Sequence, residues 1–123
     1  MIDHLSIGTK DLTRSAEFYR QTFEPLGFSL QHVTDAEASF GPGTSRTFWL
    51  YPAEAVQPIQ GMHIAFGATS PEAVDEAYAA ARASGAESVR EPGWRPEISD
   101  EYYGCVVLDL DGHKLEIVTY AAM

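Results

Sequence analysis

Polar and apolar residues along the chain fall into two arrangements, one repeating every second residue and one every three to four. The segments Asp3-His4-Leu5-Ser6-Ile7-Gly8 and Met62-His63-Ile64-Ala65-Phe66-Gly67 alternate in step, which predicts two equivalent short strands. Leu5 and Ile7 correspond to Ile64 and Phe66 and are expected to pack beneath helices; His4 and His63 fall on the opposite face. Behind the first strand, Leu12, Ala16, Tyr19, Phe23 and Leu26 share one face of a helix that Asp11 caps, Pro25 disturbs and Gly27 stops. Behind the second, Ser70-Pro71-Glu72 opens a helix with a hydroxyl cap, a proline in its first turn and an early acid. Val74, Ala77, Tyr78 and Ala81 form its buried stripe, and Gly85 ends it.

Shorter strands follow each helix: 28–33, 38–40 and 47–51 in the first half, and 88–90, 104–110 and 114–120 in the second. Asp111-Gly112 reads as a tight hairpin turn between the last two. The chain therefore divides into a first strand–helix–strands module over 1–55, a link over 56–61 and a second module over 62–121. The stretch 91–103 carries two prolines, a tryptophan and two tyrosines without periodicity, and reads as a long surface loop.

Charge and cysteine usage narrow the partners. Eighteen acidic against eight basic residues leave a formal charge of −10, which disfavours nucleic acid and anionic membrane surfaces. The single cysteine, Cys105, forms no intrachain disulfide, and its apolar setting reads as core. No apolar run approaches the ~18 residues of a membrane span. The expectation is a cytoplasmic protein with a small-molecule ligand.

The candidate chemistry lies in His4, His63 and Glu116. Two imidazoles on equivalent strands, with a carboxylate on the helix-free face of a third, make a divalent-metal ligand set with positions left open. Such a set accepts Fe, Mn, Ni, Co or Zn. Trp49 and Tyr51 share a strand face and are read as walls of a substrate pocket, with Trp94, Tyr102 and Tyr103 as a lid over it. Tyr102 or Tyr103 is the candidate acid or hydrogen-bond donor to a metal-bound oxygen. His32 is a candidate base behind the ligands, and His113 is expected to be exposed.

His4-Leu5-Ser6-Ile7 with Asp11-Leu12 and Phe18-Tyr19, then His63-Ile64-Ala65-Phe66, then Asp111-Gly112-His113-Lys114-Leu115-Glu116 resembles the vicinal oxygen chelate superfamily over nearly the whole chain. That group includes glyoxalase I, bleomycin-resistance proteins, extradiol dioxygenases and fosfomycin-resistance transferases. The resemblance implies an α+β fold of two βαβββ modules, whose curved mixed sheets form a partly open cup with helices outside. It implies one divalent metal on His4, His63 and Glu116, a homodimer, and lyase, isomerase or dioxygenase chemistry on a compact oxygenated metabolite. The alternative it offers is an antibiotic-sequestering or other non-catalytic binding protein. It also matches Trp49, which offers no ligand atom, to the position of a fourth ligand, and so points away from glyoxalase I.

Overall fold

The computed structural model describes residues 1–120, so residue 121, the expected end of the second module, lies outside the described residues. Two copies of one pattern follow each other. The first runs β1 (Leu5–Thr9), α1 (Leu12–Phe23), a 3-10 turn (Glu24–Leu26), β2 (Phe28–Val33), β3 (Ala38–Pro42) and β4 (Phe48–Pro52). The second runs β5 (Ile64–Gly67), α2 (Pro71–Ala83), β6 (Glu87–Trp94), β7 (Tyr103–Leu108) and β8 (Lys114–Thr119). Their sheets have the orders β1-β4-β3-β2 and β5-β8-β7-β6. Each has a parallel pair at one edge and antiparallel pairs elsewhere. The fold is the expected α+β arrangement of two βαβββ modules, with neither sheet closed into a barrel.

The helices form where the pattern places them. Asp11 accepts from the Arg14 amide at the start of α1, and Ser70 accepts from the Ala73 amide at the start of α2, satisfying otherwise orphaned donors. α1 ends at Phe23 instead of Leu26, because Pro25 seeds the 3-10 turn, which Gly27 closes at φ 80°. Leu12, Ala16, Tyr19, Phe23 and Leu26 are all buried. Val74, Ala77 and Ala81 of α2 are fully buried as well, and Tyr78 packs against the same cluster. Leu5, Ile7, Ile64 and Phe66 close the core from the strand side, and Cys105 is buried in it, its thiol pushed up to about 12 by burial.

α1 packs on β2, β3 and β4, α2 packs on β6, β7 and β8, and the two helices pack on each other. Phe66 of β5 crosses between modules to meet Phe23 and Phe48 at ring distances of 4.8 and 5.4 Å. One continuous core therefore joins the modules, and the helix-free face of each sheet is turned away from it.

The largest departure from expectation is in β6. Residues 91–94 belong to β6 and not to a loop: Gly93 pairs with Gly104 and Trp94 with Tyr103, past register shifts at Ser88/Arg90 and Arg90/Gly93. Pro92, which signals a break in sequence, is accommodated in that irregular stretch.

Candidate metal centre

Register carries the equivalence of the modules down to single residues. β1 pairs with β4 through Leu5↔Phe48 and Ser6↔Trp49, while β5 pairs with β8 through Ile64↔Leu115 and Ala65↔Glu116. His4 and His63 stand one residue ahead of these two ladders. Trp49 in module one therefore occupies the position of Glu116 in module two.

In module two the pair is assembled. His63 Nε2 lies 3.1 Å from Glu116 Oε1, and Tyr102 donates its hydroxyl to Glu116 Oε2 at 2.6 Å. Burial, then the hydrogen bond to Glu116, raises the Tyr102 phenol well above its ordinary range, so it is protonated and donates. Two donors bound side by side to one cation at about 2.1 Å stand roughly 3 Å apart, given ordinary metal–imidazole and metal–carboxylate bond lengths. The His63–Glu116 spacing fits that requirement.

In module one, His4 Nδ1 lies 2.8 Å from Asp3 Oδ1, and the ring is largely exposed. Among the described residues, His4, His63 and Glu116 do not close into one compact ligand group within the single chain. Trp49 donates its indole N–H to the Arg46 carbonyl at 2.9 Å and stacks on Tyr51, with centroids 6.2 Å apart and planes 9° from parallel. His32 is tied to Glu37 at 3.3 Å. Between the modules a cavity of about 290 Å³ adjoins His63 and is lined also by Ser6, Val56, Met62 and Lys114.

The other loop aromatics divide between two places. Tyr102, 8% exposed, sits at Glu116. Tyr103 donates instead to Asp75 of α2 at 2.6 Å, and burial with that bond pushes its phenol up to about 12. Trp94 packs edge-on against Tyr103 at 5.0 Å. Of the proposed lid aromatics, only the Tyr102 hydroxyl is bonded to a candidate ligand.

A second carboxylate–imidazole cluster, Asp109, Asp111 and His113, was not singled out from sequence. Buried Asp109 accepts from the Tyr19 hydroxyl at 2.5 Å and from the amides of Asp111 and His113. Asp111 accepts from the Lys10 amide, and His113 Nε2 donates to the Gly8 carbonyl at 2.9 Å. His113 is thus half-buried rather than exposed. These bonds run from the β7–β8 turn to β1 and α1, so the cluster clamps module two to module one. The sequence signal was present: an aspartate two residues before an Asp-Gly turn caps the turn's amides.

Residues 1–117 match the Glyoxalase/Bleomycin resistance protein/Dioxygenase superfamily, and the chain belongs to that family. A glyoxalase/bleomycin resistance protein from Albidiferax ferrireducens superposes with a TM-score of 0.85 at 26% identity, over 95% of this chain and 97% of that one. The fosfomycin resistance protein FosX from Listeria monocytogenes gives a TM-score of 0.73 at 23% identity, over 97% of this chain and 92% of that one. A glyoxalase/bleomycin resistance protein/dioxygenase family enzyme from Burkholderia phytofirmans gives 0.73 at 19% identity, over 97% and 98%. No functionally curated protein matches the chain. Among the described residues, no helix is long and apolar enough to cross a membrane.

Proposed function

We propose that this protein is a divalent-metal-dependent enzyme acting on a compact oxygenated metabolite, with lyase, isomerase or dioxygenase chemistry at His4, His63 and Glu116. The observation that carries the reading is the His63–Glu116 pair, 3.1 Å apart on the helix-free face of module two, with a histidine at the matching place in module one. The metal, when bound, polarises a substrate oxygen or stabilises an enolate through the positions the protein leaves open. The three side chains would hold it, the stacked Trp49 and Tyr51 on the helix-free face of module one would wall the space for substrate, and Tyr102 donates its hydroxyl to the ligand Glu116.

The site is completed between two copies of the chain. His4 lies on one sheet and His63 with Glu116 on the other, and the helix-free faces of those sheets turn away from the shared core. A homodimer that lays module one of one copy against module two of the other brings the three ligands together. The test mixes two inactive variants, His4→Ala and Glu116→Ala, after unfolding and refolding together. Mixed dimers then contain one intact site, and bound metal reappears in the mixture. If His4→Ala and Glu116→Ala each bind metal as wild type does, the site is misassigned; if each loses metal and mixing restores none, it is not shared.

The stacked Trp49–Tyr51 pair favours a second reading, a binding protein that holds a flat ligand without turning it over. Quenching of tryptophan fluorescence by such a ligand, unchanged in His63→Ala and Glu116→Ala, would favour sequestration over catalysis.

A further inference from the structure

Both carboxylate oxygens of Glu116 are engaged by side chains that lie far apart in sequence, Oε1 by His63 and Oε2 by the Tyr102 hydroxyl, whereas the one engaged nitrogen of His4 meets only its neighbour Asp3. The β7–β8 register runs Gly104↔Val118 and Tyr103↔Thr119, which sets Tyr102 level with Tyr120. The two rings meet edge to face, with centroids 5.2 Å apart and planes at 86°. From that anchor the Tyr102 ring runs back along the sheet toward Glu116, over Gly104. A Cβ at Gly104 would come within 2.9 Å of Val118 Cγ1 and of the Ile117 carbonyl, and within 3.4 Å of Tyr102 Cε1. Gly104 is thus required by the β8 backbone beside it, the ring passes alongside, and the hydroxyl ends 2.6 Å from Glu116 Oε2. Glu116 Oε1 remains on the His63 side at 3.1 Å.

We infer that Tyr102 is a positioning residue for the metal centre: it ties down Glu116 Oε2 and so presents Oε1 alone as the donor, in line with His63. The inference rests on the ligand assignment proposed above. A carboxylate held by one oxygen binds a cation through the other and leaves one more coordination position for the substrate than a carboxylate free to bind through both. Module one has no counterpart. Val106 faces Glu116 and Ser39 faces Trp49, so the place of Tyr102, four residues ahead of Val106, corresponds to Asp35 in module one. The side chain that would need orienting is also missing there, because Trp49 is no ligand.

The experiment is a Co(II) titration of the purified full chain, read by equilibrium dialysis and by the visible absorption of the bound ion, for wild type, Tyr102→Phe, His63→Ala and Tyr78→Phe. Tyr78 bonds Ser88 and serves as the control for loss of a phenol. Tyr102→Phe is expected to weaken binding roughly 10–100-fold, the usual consequence of losing a partner behind a ligand. Its bound-cobalt absorption should drop in intensity as Glu116 takes up both oxygens and the coordination number rises. Tyr78→Phe should move neither readout. Wild-type affinity and spectrum in Tyr102→Phe, alongside lost binding in His63→Ala, would overturn the positioning role and leave the ligand assignment standing. Wild-type binding in His63→Ala would overturn the assignment itself.

Discussion

The two modules share strand order, helix placement and register, yet they fill that frame with different chemistry. Module one carries an aromatic core of Phe18, Tyr19, Phe23, Phe40 and Phe48, whereas module two is built on Val74, Ala77, Ala81, Val107, Leu115 and Ile117. The two halves meet where α1 packs on α2, and Phe66 inserts into the aromatic half. On the helix-free faces the inequality runs the other way. Module two holds two candidate ligands and the tyrosine hydrogen-bonded to one of them; module one offers a histidine and an aromatic shelf. A duplicated frame thus lets one half carry the aromatic bulk while the other carries the candidate ligand pair.

The largest effect should come from emptying the aromatic half. Phe23 touches Tyr19, Phe28, Phe40, Phe48 and Phe66 and is 1% exposed. Phe23→Ala is expected to cost about 3–5 kcal/mol in the denaturant midpoint, a large share of the ~5–15 kcal/mol that holds a domain folded. An equal loss from Val74→Ala, which removes far less volume, would contradict the view that stability is concentrated in module one.

Exchanging the site residues tests the other half of the comparison. Glu116→Trp gives module two the side chain of module one, and it should weaken divalent-metal binding by more than the roughly 10–100-fold that loss of an outer partner costs. The reverse change, Trp49→Glu, supplies a carboxylate at the register position of Glu116. It should tighten binding about tenfold, the step that about 1.4 kcal/mol makes. Calorimetric titration with Mn(II) reads both; unchanged affinity in Trp49→Glu would mean that module one does not face the metal.

How far the sequence revealed this comparison follows from which signals are local. The helix faces, both helix caps and the matched phase of His4 and His63 depend on spacing within a dozen residues, and each appears in the structure as expected. The Trp49–Glu116 equivalence followed from family resemblance and is independently visible in the ladders. The packing of α1 on α2 was not legible, because periodicity tells which face is buried and not what covers it. Nor was the continuation of β6 through Pro92 to Trp94, since bulges erase the alternation that marks a strand. The Asp109 clamp was hidden for a similar reason: Leu108 and Leu110 made its segment read as continuous strand, whereas β7 ends at Leu108.

That clamp predicts a pH dependence that belongs to the joint between modules. Burial raises the Asp109 carboxyl above its ordinary range, partly offset by the Tyr19 hydrogen bond. A carboxyl raised in the folded state favours folding most below its unfolded pKa, and that contribution is lost as pH rises through the folded value. Asp109→Asn keeps an oxygen for the amides of Asp111 and His113 but has no charge to bury. The melting temperature of wild type should therefore fall relative to that of the variant as pH climbs from 4 to 7. A parallel pair of curves would remove Asp109 as the cause.

The smallest predicted difference concerns the glycines that end the two helical segments. Gly27 closes module one's helical turn at φ 80° and Gly85 follows α2 at φ 108°, both in the region that side chains avoid. Alanine at either position should cost about 1 kcal/mol from backbone strain alone. The surroundings separate them: a Cβ at Gly27 meets nothing within 4 Å, while one at Gly85 would lie 3.1 Å from Leu110 Cδ2, beside the inter-module clamp. Gly85→Ala should therefore be the more destabilising in a thermal melt, by the cost of moving Leu110. Equal melting temperatures would show that the Leu110 side chain yields freely, and that the joint between modules is looser there than the bonds of Asp109 imply.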